Sequence, residues 1–167
     1  DLDRQDQPLY LLELGDELPE LPDSARTAEN RVHGCQSQVW LTTDLQGAGE
    51  SATFTIAADS DSNIVRGLIA ILAAAYNGKT AREILEYDID AVFHRLNLQQ
   101  HITPQRRNGL RGMVDRVLTL ARMHLVACNG VDSQDSGRDT DRNRVGSHVT
   151  RPVAAKIEQA RAEDPFP

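Results

Sequence analysis

The chain has 167 residues and a mass of 18.5 kDa, with 18 Lys and Arg against 25 Asp and Glu, for a formal net charge of -7. That is one domain of ordinary size with room for a tail, and an acidic balance that excludes general nucleic-acid binding driven by phosphate neutralisation. The longest apolar run, residues 68–76, falls well short of the roughly 20 residues a membrane span needs. Two cysteines exclude a disulfide-rich scaffold and any four-cysteine zinc or iron–sulfur site made by one chain. The acidic N-terminus shows no signal-peptide pattern, and Asp1 in place of Met leads us to expect a processed or partial chain.

Residues 8–126 read as the folded part. Pro8-Leu9-Tyr10-Leu11-Leu12-Glu13-Leu14 predicts a short helix, closed by Gly15 in a left-handed cap. Residues 16–33 hold Pro19, Pro22, Asp23, Ser24 and Asn30, which is turn chemistry and predicts a long irregular loop. Two strands follow, at 38–43 and 53–57. The first is rich in β-branched and aromatic side chains, and the second alternates polar and apolar residues. Gln46-Gly47-Ala48-Gly49 is the hairpin loop between them.

The remainder is helical. Asp59, Ser60, Asp61 and Ser62 are N-cap candidates for a helix over 63–76, apolar nearly all round and ended by Asn77-Gly78. Thr80 and Glu83 have capping-box spacing. Asp88 caps a short helix through Phe93 and Leu96. Thr103-Pro104 opens a last helix on which Leu110, Met113, Val114, Val117, Leu118, Ala121 and Leu125 recur at helical spacing. These elements place a first domain at 1–128. Residues 129–150, with Val as the only large apolar type, predict a disordered linker. Residues 151–167 are expected as a C-terminal extension, with an amphipathic helix predicted over 152–162 through Val153, Ile157 and Ala160.

The sharpest local feature is Arg31-Val32-His33-Gly34-Cys35-Gln36-Ser37-Gln38-Val39-Trp40. Cys35 lies between a turn-rich loop and a strand, Gly34 permits close approach of another backbone, and Arg31 and His33 are near enough in sequence to favour a thiolate. Spacing alone favours a cysteine buried as a small apolar residue, since one lone cysteine is a weak signal. A cysteine hydrolase would need a base among His94, His101, His124 or His148, and nothing selects one. His124 and Cys128 have i,i+4 ligand spacing, but two ligands do not make a metal site. Gly47 and Gly49 lie between strands, so they do not form a phosphate loop. The acidic residues from Asp1 to Asp23 read as a solvated surface able to steer docking to a basic partner.

The segment from Gly34 to Trp40 resembles the signature of the SufE family of sulfur-acceptor proteins. The resemblance continues in order through Tyr10–Gly15, Leu18-Pro19-Glu20-Leu21, Asp59-Ser60-Asp61 with Ile64-Val65 and Gly67-Leu68-Ile69-Ala70, and Gln100-His101-Ile102-Thr103-Pro104 with Arg106 and Asn108-Gly109-Leu110. It implies an α+β fold, a small antiparallel sheet packed against helices, similar to the IscU-type scaffold proteins. A third strand would be needed, for which 30–32 is the candidate. It also implies a role. A cysteine desulfurase of the SufS type, which carries the pyridoxal phosphate, holds sulfur as a persulfide. The SufE-like protein activates it, takes the sulfur on its own cysteine and relays it to a SufBCD-like iron–sulfur scaffold complex.

Carried over by position, Cys35 is the acceptor, Gly34, Gln36 and Ser37 shape its loop, and Asp61 and Arg106 face the partner. Each of the last two also has a plain structural reading, an N-cap for Asp61 and a solvated first-turn side chain for Arg106. On this reading the chain binds no cofactor and no metal of its own and acts as a carrier rather than a stand-alone enzyme. Its partners include no nucleic acid and no membrane, and its location is the cytoplasm, or the plastid stroma in view of a faint likeness of residues 152–158 to the opening helix of a BolA domain. Two departures stand out. Family members usually carry another helix before the Tyr10 region, whereas only seven residues precede Pro8 here, and the stretch after Cys128 is foreign to the ordinary family domain. Sulfur relay to another pathway such as transfer-RNA modification, and a binding module in which Cys35 is structural, are the alternative readings.

Overall fold

The computed structural model describes residues 7–130, apart from the side chains of Gln7, Pro8 and His101. The expected linker from 131 onward, the C-terminal helix and the residues before Gln7 lie outside the described residues. Among those described, the chain is an α+β assembly of two strands and six α-helices in the order α1 Gln7–Asp16, β1 Val39–Gln46, β2 Thr53–Ser60, α2 Asn63–Tyr76, α3 Ala81–Glu86, α4 Ile89–Arg95, α5 Leu98–His101 and α6 Pro104–Asn129.

The sheet is a single antiparallel hairpin, paired from Val39 with Ser60 to Gln46 with Thr53. Its alternation decides which face is dry. Val39, Leu41, Phe54, Ile56 and Ala58 fall on one face in this register and are all buried. A two-stranded ribbon is marginal without a helix against its apolar face, and α2 supplies that cover, with Val65, Leu68, Ile69, Ile71 and Leu72 each at most 1% exposed. The expected third strand is present only as a stub. Arg31 forms an isolated bridge to Trp40, with Val32 N donating to Val39 O (2.8 Å) and Leu41 N to Asn30 O (2.8 Å). The loop's turn chemistry on one side and Gly34 on the other stop the pairing from propagating. On the opposite edge, Thr53 bridges Thr80.

Two expectations are corrected. Gly15 is not a left-handed cap. It lies inside α1, which runs to Asp16, and a Cβ on it would stand 2.5 Å from Asn63 O. Its counterpart on α2 is Gly67, where a Cβ would overlap Leu11 O outright. The two glycines let the α1 and α2 backbones touch, so the glycine is used for contact rather than for φ. The second correction concerns the N-cap candidates. β2 continues past residue 57 to Ser60 and takes in Asp59 and Ser60, while Ser62 occupies the N-cap position without a side-chain cap bond.

The other local signals hold. Thr80 and Glu83 close a full capping box, Asp88 accepts from Ala91 N at 3.1 Å, and Thr103 accepts from Arg106 N ahead of Pro104. Gly78 turns the chain after α2 with φ at +80°. The 26-residue α6, about 39 Å long, buries Leu110, Met113, Val114, Val117 and Ala121 against the core, and Leu118 and Leu125 are half-buried beside them. It runs one residue into the stretch expected as linker, ending at Asn129. α5 was not visible in the sequence. Asn97, at φ 53°, breaks the chain between α4 and α5.

Candidate functional site

Cys35 sits in the irregular connection that joins the Arg31 bridge to β1. Gly34 takes φ +92°, a conformation side chains rarely adopt, and turns the chain so that Cys35 faces α6. The thiol is half-buried and not in a disulfide. It rests on Gly109: a Cβ at that position would come 2.6 Å from Sγ and 2.9 Å from Cβ of Cys35. One turn further along, Gly112 lies under the backbone of His33, with 3.0 Å between a built Cβ and His33 O. The two glycines form a shallow notch on α6 in which residues 33–35 lie.

The segment is pinned on both sides. Upstream, Arg116 donates from Nη2 to Glu29 O at 2.8 Å. Downstream, Asp61 accepts from Gln38 N at 3.0 Å through Oδ1, and its own N–H donates to Gln38 O at 3.3 Å. Asp61 is thus a latch on the chain three residues after Cys35, not a helix cap. Arg106 is the third residue of α6 and half-buried, one turn before Gly109, with no partner for its guanidinium among the described residues. Gln36 is exposed and Ser37 half-buried. Gly34 and Cys35 thus share the loop before β1, Asp61 latches its downstream end at Gln38 from the connection between β2 and α2, and Arg106 stands one turn before Gly109 on the helix that bears the notch.

Arg31 and His33 are exposed, and among the described residues no hydrogen bond reaches Sγ of Cys35. Neither Arg31 nor His33 is hydrogen-bonded to the thiol. His94 is exposed on α4, and His124 lies on the last turns of α6, so neither stands as a base for Cys35. Among the described residues no three His, Cys, Asp or Glu side chains converge as metal ligands.

Two clefts mark the surface of the described residues. The larger, about 390 Å³, is lined by Asp16, Glu20, Arg26, Asp59, Ser60, Asn63 and Arg66. The smaller, about 240 Å³, has Phe93, Leu98, Ile102 and Leu110 in its walls. Cys35 lines neither of them.

Sequence reasoning missed what supports this loop. Asp59 is 1% exposed and hydrogen-bonded at both carboxylate oxygens. Oδ2 accepts from Arg26 Nη2 (2.8 Å) and Leu21 N (3.2 Å), and Oδ1 from Ser60 N (2.8 Å) and from Arg66 Nη1. Arg66 also donates to Leu18 O (2.7 Å) and Gly15 O (3.1 Å), and Arg26 lies over the Trp40 ring at 5.4 Å. A buried carboxylate is tolerated when every lone pair is used. Here it ties the end of α1, the long loop, β2 and α2 together, and so fixes β1 at Trp40, where the cysteine loop ends. The sequence signal was the Asp59-Ser60-Asp61 stretch, which has an equally good reading as helix caps. Gly109 and Gly112, three residues apart on a helix, were the readable trace of the notch, since glycine in a helix interior costs about 1 kcal/mol and is kept for close approach.

Comparison with known proteins agrees with this arrangement. Residues 2–121 match the model of the SufE family, described as an Fe-S metabolism associated domain. An uncharacterised SufE-like protein of Rhizobium meliloti is 45% identical over 123 residues, covering 74% of this chain and 88% of its own length. One from Rhizobium etli is 45% identical over 125 residues, with 75% and 84% covered. Among solved structures, a solution structure of a hypothetical protein from Thermus thermophilus superimposes with a TM-score of 0.53 at 21% identity, over 71% of this chain and 84% of that one, a likeness of fold alone. With a family match across nearly the whole described domain and relatives at this identity, the chain belongs to the SufE family, whose domain is associated with iron–sulfur metabolism.

Proposed function

We propose that this protein is the sulfur acceptor and activator of a cysteine desulfurase, with Cys35 as the carrier residue, and that it passes the sulfur on to iron–sulfur cluster assembly. The observation that carries the reading is the setting of Cys35. It is a half-buried thiol on a turned, pinned loop that lines neither of the two clefts, and neither His94 nor His124 stands beside it. A self-contained enzyme needs a substrate cleft and a base at its nucleophile, whereas a carrier needs a thiol that another protein's active site can reach.

The chemistry is thiol–disulfide exchange. The Cys35 thiolate attacks the terminal sulfur of the donor's persulfide. A new S–S bond forms on Cys35, the donor's S–S bond breaks, and its cysteine leaves as a thiolate ready for the next turnover. Activation follows from that regeneration. The pyridoxal phosphate stays with the SufS-like donor, and the SufBCD-like complex receives the sulfur. Asp61 keeps the loop's downstream end fixed, and the unpartnered guanidinium of Arg106 offers a contact to the incoming protein beside the thiol. Among the described residues no helix is long and apolar enough to cross a membrane.

The test is mass analysis after incubation with a SufS-type desulfurase and cysteine. The parent and Cys128→Ser should each gain one sulfur atom, mapped to the peptide holding Cys35, and Cys35→Ser should gain none. Sulfur on Cys128 in the Cys35→Ser protein would overturn the assignment. Full desulfurase activation by Cys35→Ser would favour a docking module instead.

A further inference from the structure

Among the described residues, four large apolar side chains stand exposed: Leu9, Leu45, Met123 and Val126. Three of them gather at one end of the molecule. His124, next to Met123 on α6, has Nε2 2.9 Å from the carbonyl oxygen of Gly49 in the loop between β1 and β2, and its ring meets Phe54 edge to face at 5.5 Å. Phe54 is the cross-strand neighbour of Leu45. The last turns of α6 are thus set against the hairpin end, with Leu45 at 45%, Met123 at 61% and Val126 at 72% exposure around the contact. Half-buried Leu120 continues the stripe one turn before Met123. Apolar residues exposed singly are ordinary, whereas a group of them in one place marks a contact surface.

The chain leaves α6 at this same end. Gly130 caps the helix four residues beyond Val126, which is about 6 Å along the axis. Pro152 follows 22 positions later. It opens a stretch in which Val153, Ile157 and Ala160 recur at i, i+4 and i+7, an apolar stripe of helical period with proline at the start. A flexible tether of 22 residues has a root-mean-square span of about 26 Å, more than enough to bring that stripe back to Val126 and Met123. A helix confined to 152–162 is too short to be stable alone, so its stripe needs a surface on which to fold.

The size of the surface selects its occupant. A few side chains offer far less than the roughly 800 Å² per partner that a stable complex of separate chains buries, and a net charge of -7 opposes the approach of a second copy. A tethered segment needs no such area, because its effective concentration is on the order of 1 mM. We propose that residues 152–162 fold as a helix on the exposed end of α6 and lay Val153 and Ile157 over Leu45, Met123 and Val126. This contact is separate from Cys35 and does not depend on its role.

The experiment uses the full chain. Hydrogen peroxide oxidises accessible methionine, and peptide mass analysis reads Met123 against Met113, which is 1% exposed. A segment docked for about four-fifths of the time leaves Met123 open for the remainder, so Ile157→Asp should raise its oxidation rate about fivefold, with Met113 unchanged. Equal rates at Met123 in the parent and Ile157→Asp would overturn the proposal. Protection that grows with protein concentration would overturn it too, by placing a second copy on the patch. A second measurement, in a chain carrying Cys35→Ser and Cys128→Ser, combines Val126→Cys with either Ile157→Cys or Gln159→Cys. Position 159 lies on the opposite face of such a helix, so the 157 pair should close its intramolecular disulfide at least about fivefold faster. A loose tether would close both pairs alike, and equal rates would overturn the proposal.

Discussion

Replacing Gly109 with alanine tests the notch directly. Two effects oppose each other. Within α6 the change removes a helix-interior glycine, which favours the helix by about 1 kcal/mol. At the surface the new methyl would stand 2.6 Å from Sγ and 2.9 Å from Cβ of Cys35, with 3.5 Å to its Cα, so the loop must give way. Overpacking of this kind costs about 1–3 kcal/mol. The loop is the softer partner, because Gly34 carries no side chain and nothing lies within 4 Å of where one would be. The cost therefore falls on the stowed position of Cys35 and not on the core. A cost of about 1–3 kcal/mol shifts the balance between seated and released thiol by about 5- to 150-fold. Gly109→Ala should melt within a few degrees of the parent, while Cys35 reacts with iodoacetamide at least about fivefold faster. Alkylation at the parental rate in a folded protein would refute the notch, and so would a large loss of stability, since that would place the strain in the core.

Other outcomes follow from the same packing. Asp59→Ala should lower the denaturant-unfolding free energy by about 3–5 kcal/mol, because it leaves Arg66 and Arg26 without their buried partner; a loss under about 1 kcal/mol would contradict the role of that carboxylate. Leu68→Ala, at a site 1% exposed on α2, should cost about 2–5 kcal/mol by the same assay. Burial, and secondarily the neighbouring Tyr87 and Asp90, push the Tyr76 phenol up to about 12. In the unfolded chain it ionises near 10, so stability should fall as pH rises from about 10 to about 12, and Tyr76→Phe should remove that fall. Tyr76 Oη is also buried without a hydrogen-bond partner among the described residues, so Tyr76→Phe should be neutral or stabilising in chemical denaturation at neutral pH. The Thr80 backbone N–H and hydroxyl hold the Glu83 carboxyl below its usual range. Its contribution is present at neutral pH and lost as pH falls through that lowered value, and Glu83→Gln should flatten this acid limb of the stability curve.

Local chemistry alone determined a good deal of this protein. Period-two alternation in 53–57, the Thr80 and Glu83 box, the Asp88 and Thr103 caps and the apolar run of α2 each act within a few residues, so the elements were legible with no knowledge of their neighbours. The loop around Cys35 was equally visible as a motif, though whether its cysteine was core or carrier was not. Contacts between distant segments decided the rest. Gly15 looked like a terminator because glycine favours left-handed backbone, yet the nearness of α2 turned it into a point of contact. Asp59 looked like a cap because it precedes a helix, yet two arginines 33 and 7 residues away in sequence made it a buried anchor. Asp61 became a latch on Gln38, across 23 residues, and Gly109 became the seat of a thiol 74 residues earlier in the chain. The physical reason is common to all four. A residue's intrinsic preference sets which local roles it can fill, and burial against a partner far along the chain is worth more than the small differences among those preferences.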